Sequence, residues 1–150
     1  KNEMRMEFDA VSENEGFARV AVAAFVTPLD PTLEEVADIK TAVSEAVTNA
    51  VIHAYPDWPE ENPRKVELRC TVNADVLHIE IEDQGIGIAD VEKAMEPLYT
   101  TRPELERSGM GFAFMEAFMD SLSVESTPGK GTRIIMEKMI GREEARDEAL

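Results

Sequence analysis

Glu45-Ala46-Val47-Thr48-Asn49-Ala50-Val51-Ile52-His53 sets a carboxylate, an amide and an imidazole four residues apart in an otherwise apolar run. Four residues of α-helix complete a turn with a residual rotation of only about 40°. Glu45, Asn49 and His53 therefore stack on one side, while Val43, Ala46, Val47, Ala50 and Val51 cover the rest. The polar face of a surface helix ordinarily carries Lys and Glu; this stripe carries residues suited to chemistry. Three glycine turns follow downstream: Asp83-Gln-Gly85-Ile-Gly87, Ser108-Gly109-Met110-Gly111 and Gly129-Lys-Gly131-Thr132. A polar helix stripe followed by glycine turns points to a nucleotide site.

The fold is read outward from that helix. Asp30-Pro31 supplies an N-cap and an N1 proline for it, and Tyr55-Pro56 stops it. Upstream, Met4, Met6, Phe8 and Ala10 alternate with charged residues, which predicts a half-buried first strand. Ser12 and Glu15 have capping-box spacing ahead of Phe17, Val20, Ala21, Ala24 and Phe25, a first helix. Residues 56–64 form a proline-rich, polar loop, expected to be mobile. Alternating runs at 65–73 and 76–82 flank a short turn and predict a hairpin. Residues 90–95 suit one short helix, and 97–108, with two prolines and no apolar period, suit a lid. Met110, Phe114, Ala117 and Phe118 recur at helical spacing, and the Met and Phe residues between 110 and 119 read as core. Strands at 122–127 and 132–139 surround the last glycine turn. Helices grouped beside hairpin-connected strands predict an α/β two-layer sandwich, a mixed, mostly antiparallel sheet packed on helices. Residues 1–140 are expected to form a single domain and 141–150 an acidic, frayed tail.

Composition narrows the function. Fifteen basic against 31 acidic residues give a net charge of −16, which repels a phosphate backbone rather than releasing its counterions, so direct nucleic-acid binding is not expected. Cys70 has no second cysteine to pair with and falls on the apolar parity of its strand, a small core filler. No apolar run approaches the roughly 20 residues that span a bilayer, and Lys1 opens no signal-peptide pattern. No membrane association is expected, and the cytoplasm is the expected compartment.

Phosphoryl transfer needs a metal across the phosphates, donors for their oxygens, and a group that takes the proton of the nucleophile. Asn49 offers a neutral hard oxygen suited to Mg²⁺, and Glu45, one turn earlier, a carboxylate able to accept a proton. Asp83 ends an apolar strand before Gly85 and Gly87, where missing side chains let a planar base approach. Ser108, Gly109, Met110 and Gly111 open a helix whose free amides suit phosphate oxygens. Arg102 and Arg107 flank that turn; Arg102 reads as a solvated lid charge. Thr100 and Thr101 either contact the phosphates or cap the lid, and His53 reads as a helix-end packing residue. The third glycine of a dinucleotide fingerprint is absent, as are a P-loop and the eukaryotic kinase signatures.

This constellation, in this order, resembles the ATP-binding fold shared by gyrase B, heat-shock protein 90, bacterial histidine kinases and mismatch-repair ATPases, the Bergerat type. Within that fold, residues 97–120, containing Pro97-Leu-Tyr-Thr-Thr-Arg-Pro-Glu-Leu-Glu-Arg-Ser-Gly-Met-Gly111, resemble the anti-sigma-F serine kinases of sporulating bacteria. The resemblance covers residues 4–139. It implies ATP and Mg²⁺ as cofactors, Asn49 as metal ligand, Glu45 as general base, Asp83 on the exocyclic amine of adenine with Thr132 nearby, and Arg107 as the cation nearer the transferred phosphoryl group. It implies as partners a sigma factor, sigma-F, an anti-anti-sigma protein phosphorylated on serine, and a second copy of the chain in a homodimer. Arg19, in a Phe-Ala-Arg-Val context, is implied to contact both protein partners; composition alone makes it an exposed helix arginine. A paralogous stress-response anti-sigma-B kinase and a non-catalytic ATP-sensing module are the alternatives, and Glu45 is the residue a pure sensor would not need.

Overall fold

The computed structural model describes residues 1–96 and 111–141. Five strands, β1 (Asn2–Asp9), β2 (Lys65–Asn73), β3 (Val76–Asp83), β4 (Ser121–Ser126) and β5 (Thr132–Met139), form one sheet in the order β1-β2-β3-β5-β4. Helices α1 (Glu13–Val26), α2 (Leu33–Asn49), α3 (Val91–Ala94) and α4 (Gly111–Phe118) complete the element order. The two-layer α/β sandwich is as the alternation predicts. The parallel component of the expected mixed sheet is not found among the described residues: every neighbouring pair is antiparallel. β2–β3 and β4–β5 close as hairpins, and β5 runs back against β3.

Strand parity fixes the core. Val66, Leu68 and Cys70 on β2, Leu77, Ile79 and Ile81 on β3, and Ile134 and Met136 on β5 are buried against Ile39, Val43, Ala46 and Val47 of α2. Each fully buried aliphatic side chain contributes roughly 1.5–3 kcal/mol relative to exposure. Burial pushes the Cys70 thiol up to about 12, so it is inert filler, as its parity predicts. The opposite face of the sheet carries exposed ion pairs, such as Arg5–Glu67 and Arg133 with Glu80, Glu82 and Glu125, each worth little in solvent.

Several local readings are corrected. Ser12 makes no side-chain cap; Glu15 instead accepts from Arg19 and from the Ser44 hydroxyl of α2. The inward face of α1 is Ala18, Val22 and Val26, while Phe17 and Val20 are exposed, because α1 carries apolar stripes on two sides and α2 covers only one. Asp30 does not cap α2: it takes a left-handed φ of 53° at the end of a 3₁₀ turn, Thr27–Leu29. Thr32 caps in its place through a complete capping box with Glu35, an arrangement worth about 1 kcal/mol. On α4 the buried residue is Met115, with Met119 just beyond, and Ala117 is exposed. Within the 56–64 loop, Trp58 Nε1 donates to the Pro63 carbonyl and Arg64 donates to the Trp58 carbonyl.

The stripe helix does stop at Tyr55: α2 runs to Asn49, and a π-helical turn, Ala50–Ala54, continues it. Such turns hold one extra residue and recur at functional sites.

Candidate functional site

Asp83 occupies the inward parity of β3 after Leu77, Ile79 and Ile81, so a carboxylate stands where the pattern calls for a hydrocarbon; it is 7% exposed. Its carboxylate accepts the Gly85 amide at 2.9 Å and also the Thr132 amide. Burial outweighs these bonds and raises its pKa to about 6. Cross-strand register sets Thr132 on β5 opposite Asp83, and Ser126 on β4 opposite Thr132. The three polar side chains form a row at one end of the sheet's inner face.

The loop after Asp83 is held by the end of the stripe helix. Ile86 N donates to the Ala54 carbonyl at 2.8 Å, and Gln84 N donates to the Tyr55 hydroxyl at 2.9 Å. That hydroxyl donates in turn to the Lys65 carbonyl at 2.6 Å, and burial raises its pKa, keeping it a donor. A Cβ on Gly85 would lie 2.0 Å from the Ala54 carbonyl oxygen. Gly85 is thus required by helix packing, where its expected role was to admit a base. Gly87 has φ +77° and lines the cavity.

A cavity of about 290 Å³ lies between these elements. Asn49, His53, Asp83, Gly87, Gly111 and Thr132 all line it, so two of the three stripe residues and parts of all three glycine turns meet in one cavity. His53, read as packing, is part of the wall. Glu45 does not itself line the cavity, but a Cβ on Gly111 would come within 3.3 Å of its Oε2 and 3.6 Å of Asn49 Oδ1. Arg19 lies on α1, away from the cavity lining, in an ion pair with Glu15 at 3.0 Å. Thr100, Thr101, Arg102, Arg107, Ser108, Gly109 and Met110 lie outside the described residues.

Asn49 Nδ2 is buried with no hydrogen-bond partner among the described residues. A buried amide left unsatisfied costs roughly 1–3 kcal/mol, and such an orphan inside a cavity wall fits a ligand that supplies polar atoms. Among the described residues no cluster of three or more His, Cys, Asp or Glu is placed to hold a metal. A lone amide oxygen suits Mg²⁺, which takes one or two protein ligands and completes its shell with phosphates and water. The residues present therefore fit a magnesium–nucleotide complex.

Sequence reasoning missed Tyr55 and Ser126. Tyr55 carried only a helix-stop signal, and Ser126 showed itself only as a polar residue on the inward parity of Leu122 and Val124.

A two-layer sandwich with a carboxylate at the inner end of β3 and an amide on the facing helix defines a nucleotide-binding ATPase domain. Consistent with this, residues 8–138 match the histidine kinase-like ATPase domain family. The fold is similar to the RsbU and RsbW domains of Rv1364c from Mycobacterium tuberculosis, with a TM-score of 0.67 at 17% identity over 93% of this chain and 33% of that one. The chain is 59% identical over 139 residues to the anti-sigma F factor of Clostridium novyi, covering 93% of this chain and 95% of the relative. It is 61% identical over 139 residues to that of Clostridium acetobutylicum, covering 92% and 94%. The chain belongs to the anti-sigma F factor family.

Proposed function

We propose that this chain is an ATP-dependent protein serine kinase that also sequesters a sporulation sigma factor, sigma-F. Residues 1–140 act as one kinase unit in the cytoplasm. As a homodimer with ATP bound it holds the sigma factor, and it releases its antagonist, a small anti-anti-sigma protein, by phosphorylating a serine on it. No helix among the described residues is long and apolar enough to cross a membrane. The single observation that carries the reading is the buried amide nitrogen of Asn49, unpartnered among the described residues, in the wall of the same cavity as the buried carboxylate of Asp83.

The roles follow from these positions. Asp83 accepts a hydrogen bond from the exocyclic amine of adenine, with Gly87 in the same cavity wall. Asn49 Oδ1 is the protein ligand to Mg²⁺. The ion, when bound, offsets charge on the phosphate oxygens. Gly111 and the preceding Ser108, Gly109 and Met110 supply backbone donors to the phosphates, with Thr100 and Thr101 contributing hydroxyls and Arg107 the countercharge. Glu45 takes the proton of the seryl hydroxyl as its oxygen bonds to the γ-phosphorus and the bond to the leaving ADP breaks. Arg19, outside this cavity, meets the protein partners.

Incubation with labelled ATP, Mg²⁺ and candidate anti-anti-sigma proteins, followed by phosphosite mapping, tests this. A phosphoserine that forms with the parent and not with Glu45→Gln is expected. Sigma capture that requires ATP, with no transfer to any antagonist, would leave an ATP-sensing module instead.

A further inference from the structure

We propose that Ser126 is a specificity-positioning residue: it fixes the hydroxyl of Thr132 so that lone pairs, and not the proton, face the cavity. The inference rests on reading the cavity as an ATP site. Its basis is the cross-strand row of Asp83, Thr132 and Ser126.

A serine hydroxyl has one proton to give and two lone pairs to receive. Ser126 Oγ receives the Ile88 amide at 2.7 Å. It also lies 3.0 Å from the Gly131 carbonyl oxygen and 2.8 Å from Thr132 Oγ1. The carbonyl has no proton, so that contact is a hydrogen bond only when Ser126 donates to it. The remaining contact is then made by Thr132 donating to Ser126. This assignment satisfies all three contacts at once; sending the Ser126 proton to Thr132 instead loses the bond to Gly131.

Thr132 lines the cavity beside Asp83, and its only proton is committed away from it. The wall at this end therefore offers the threonine lone pairs next to an ionised carboxylate, which is acceptor-only. Two adjacent acceptors complement the 6-amino group of adenine and are mispaired with the 6-oxo group of hypoxanthine or guanine. Discrimination of this kind works by leaving the wrong ligand's polar atoms unmatched. Freed from Ser126, the Thr132 hydroxyl rotates and donates to a 6-oxo group, and the selectivity weakens.

The test is calorimetric binding of ATP and ITP, with Mg²⁺, to the full chain. Ser126→Ala is expected to lower the ratio of ATP to ITP affinity by about tenfold, the size of one mispaired buried hydrogen bond. Ser126→Thr, which keeps the hydroxyl, is expected to hold the parent ratio. Ser126→Cys, similar in size but a weak acceptor, is expected to shift the ratio in the same direction as alanine and serves if the alanine variant unfolds. In a Thr132→Val background, Ser126→Ala is expected to leave the ratio unchanged. Equal losses for ATP and ITP in Ser126→Ala, or a ratio that still falls in the valine background, would overturn the proposal and leave Ser126 as a brace for the loop. A parent protein with no affinity for ATP would instead overturn the nucleotide reading and this inference with it.

Discussion

Adenine binding to Asp83 should release protons, and the amount follows from the site. Free Asp83 titrates near pH 6 because burial outweighs its two backbone donors, against an ordinary value of 3.8. An exocyclic amine donating to the carboxylate favours the ionised form and returns its pKa toward the ordinary range. At pH 6 about half the free sites hold a proton that binding expels, so roughly half a proton leaves per ATP; at pH 8 almost none does. By the same linkage ATP affinity falls about tenfold between pH 8 and pH 5. Stability moves the other way. The raised pKa means protonated Asp83 favours the ligand-free fold, a contribution complete below pH 3.8 and lost as pH rises through 6. Ionised Asp83 therefore costs the empty protein on the order of 3 kcal/mol at pH 8. Calorimetry in two buffers of different ionisation heat measures the protons. Subtracting Asp83→Asn, titrated at higher protein concentration, removes the nucleotide's own ionisation. Equal proton release by parent and variant at pH 6 would refute the placement of the amine on Asp83.

Asn49→Ala should abolish Mg²⁺-dependent ATP binding while costing little stability, since the amide nitrogen it removes is buried without a partner among the described residues; unchanged Mg-ATP affinity by calorimetry would end its role as ligand. Glu45→Gln should keep ATP affinity and lose about 10²–10⁴ in transfer rate, the usual size of a general-base contribution; parent-rate turnover would exclude it as base. Gly85→Ala drives a Cβ to 2.0 Å from the Ala54 carbonyl oxygen, so a loss of about 1–3 kcal/mol in stability is expected, together with weaker ATP binding; a parent-like melting curve would contradict the packing. Arg19→Ala removes an exposed ion pair worth under about 1 kcal/mol, so stability and ATP affinity should hold while sigma or antagonist capture weakens; titration of both partners at parent affinity would return Arg19 to a solvated helix residue.

What the sequence made legible was whatever depends on one element at a time. Alternation fixed the strands, and Asp83 stood out because it ends an apolar strand just before Gly85 and Gly87. The Glu45 stripe was visible because one helical turn brings its members together. Choices between equivalent local options were not legible. Asp30, Thr32 and the intervening proline all carry start signals, and only the left-handed turn at Asp30 leaves Thr32 as the cap. On α1, two apolar stripes compete, and the one that meets α2 is known only once the helices are packed. The antiparallel run of β5 against β3, and with it the row ending in Ser126, depends on strand order, which no residue states.

The π-turn joins these two kinds of information. Glu45 and Asn49 lie in regular α-helix, where four-residue spacing stacks them, but Ala50–Ala54 holds the helix's last turn open. That turn delivers the Ala54 carbonyl to the Ile86 amide, the Ala54 backbone to Gly85, and the Tyr55 hydroxyl to the Gln84 amide. All three contacts fall on the loop that follows Asp83. The Asn49 amide and the Asp83 carboxylate are thus carried on elements joined by these contacts. Two hydrogen bonds and one close backbone approach join the helix end to the loop that follows Asp83. Preorganisation of this kind lowers the ordering cost of binding. It also explains why Tyr55, which lies outside the stripe and outside the glycine turns, belongs to the site as firmly as the residues that line it.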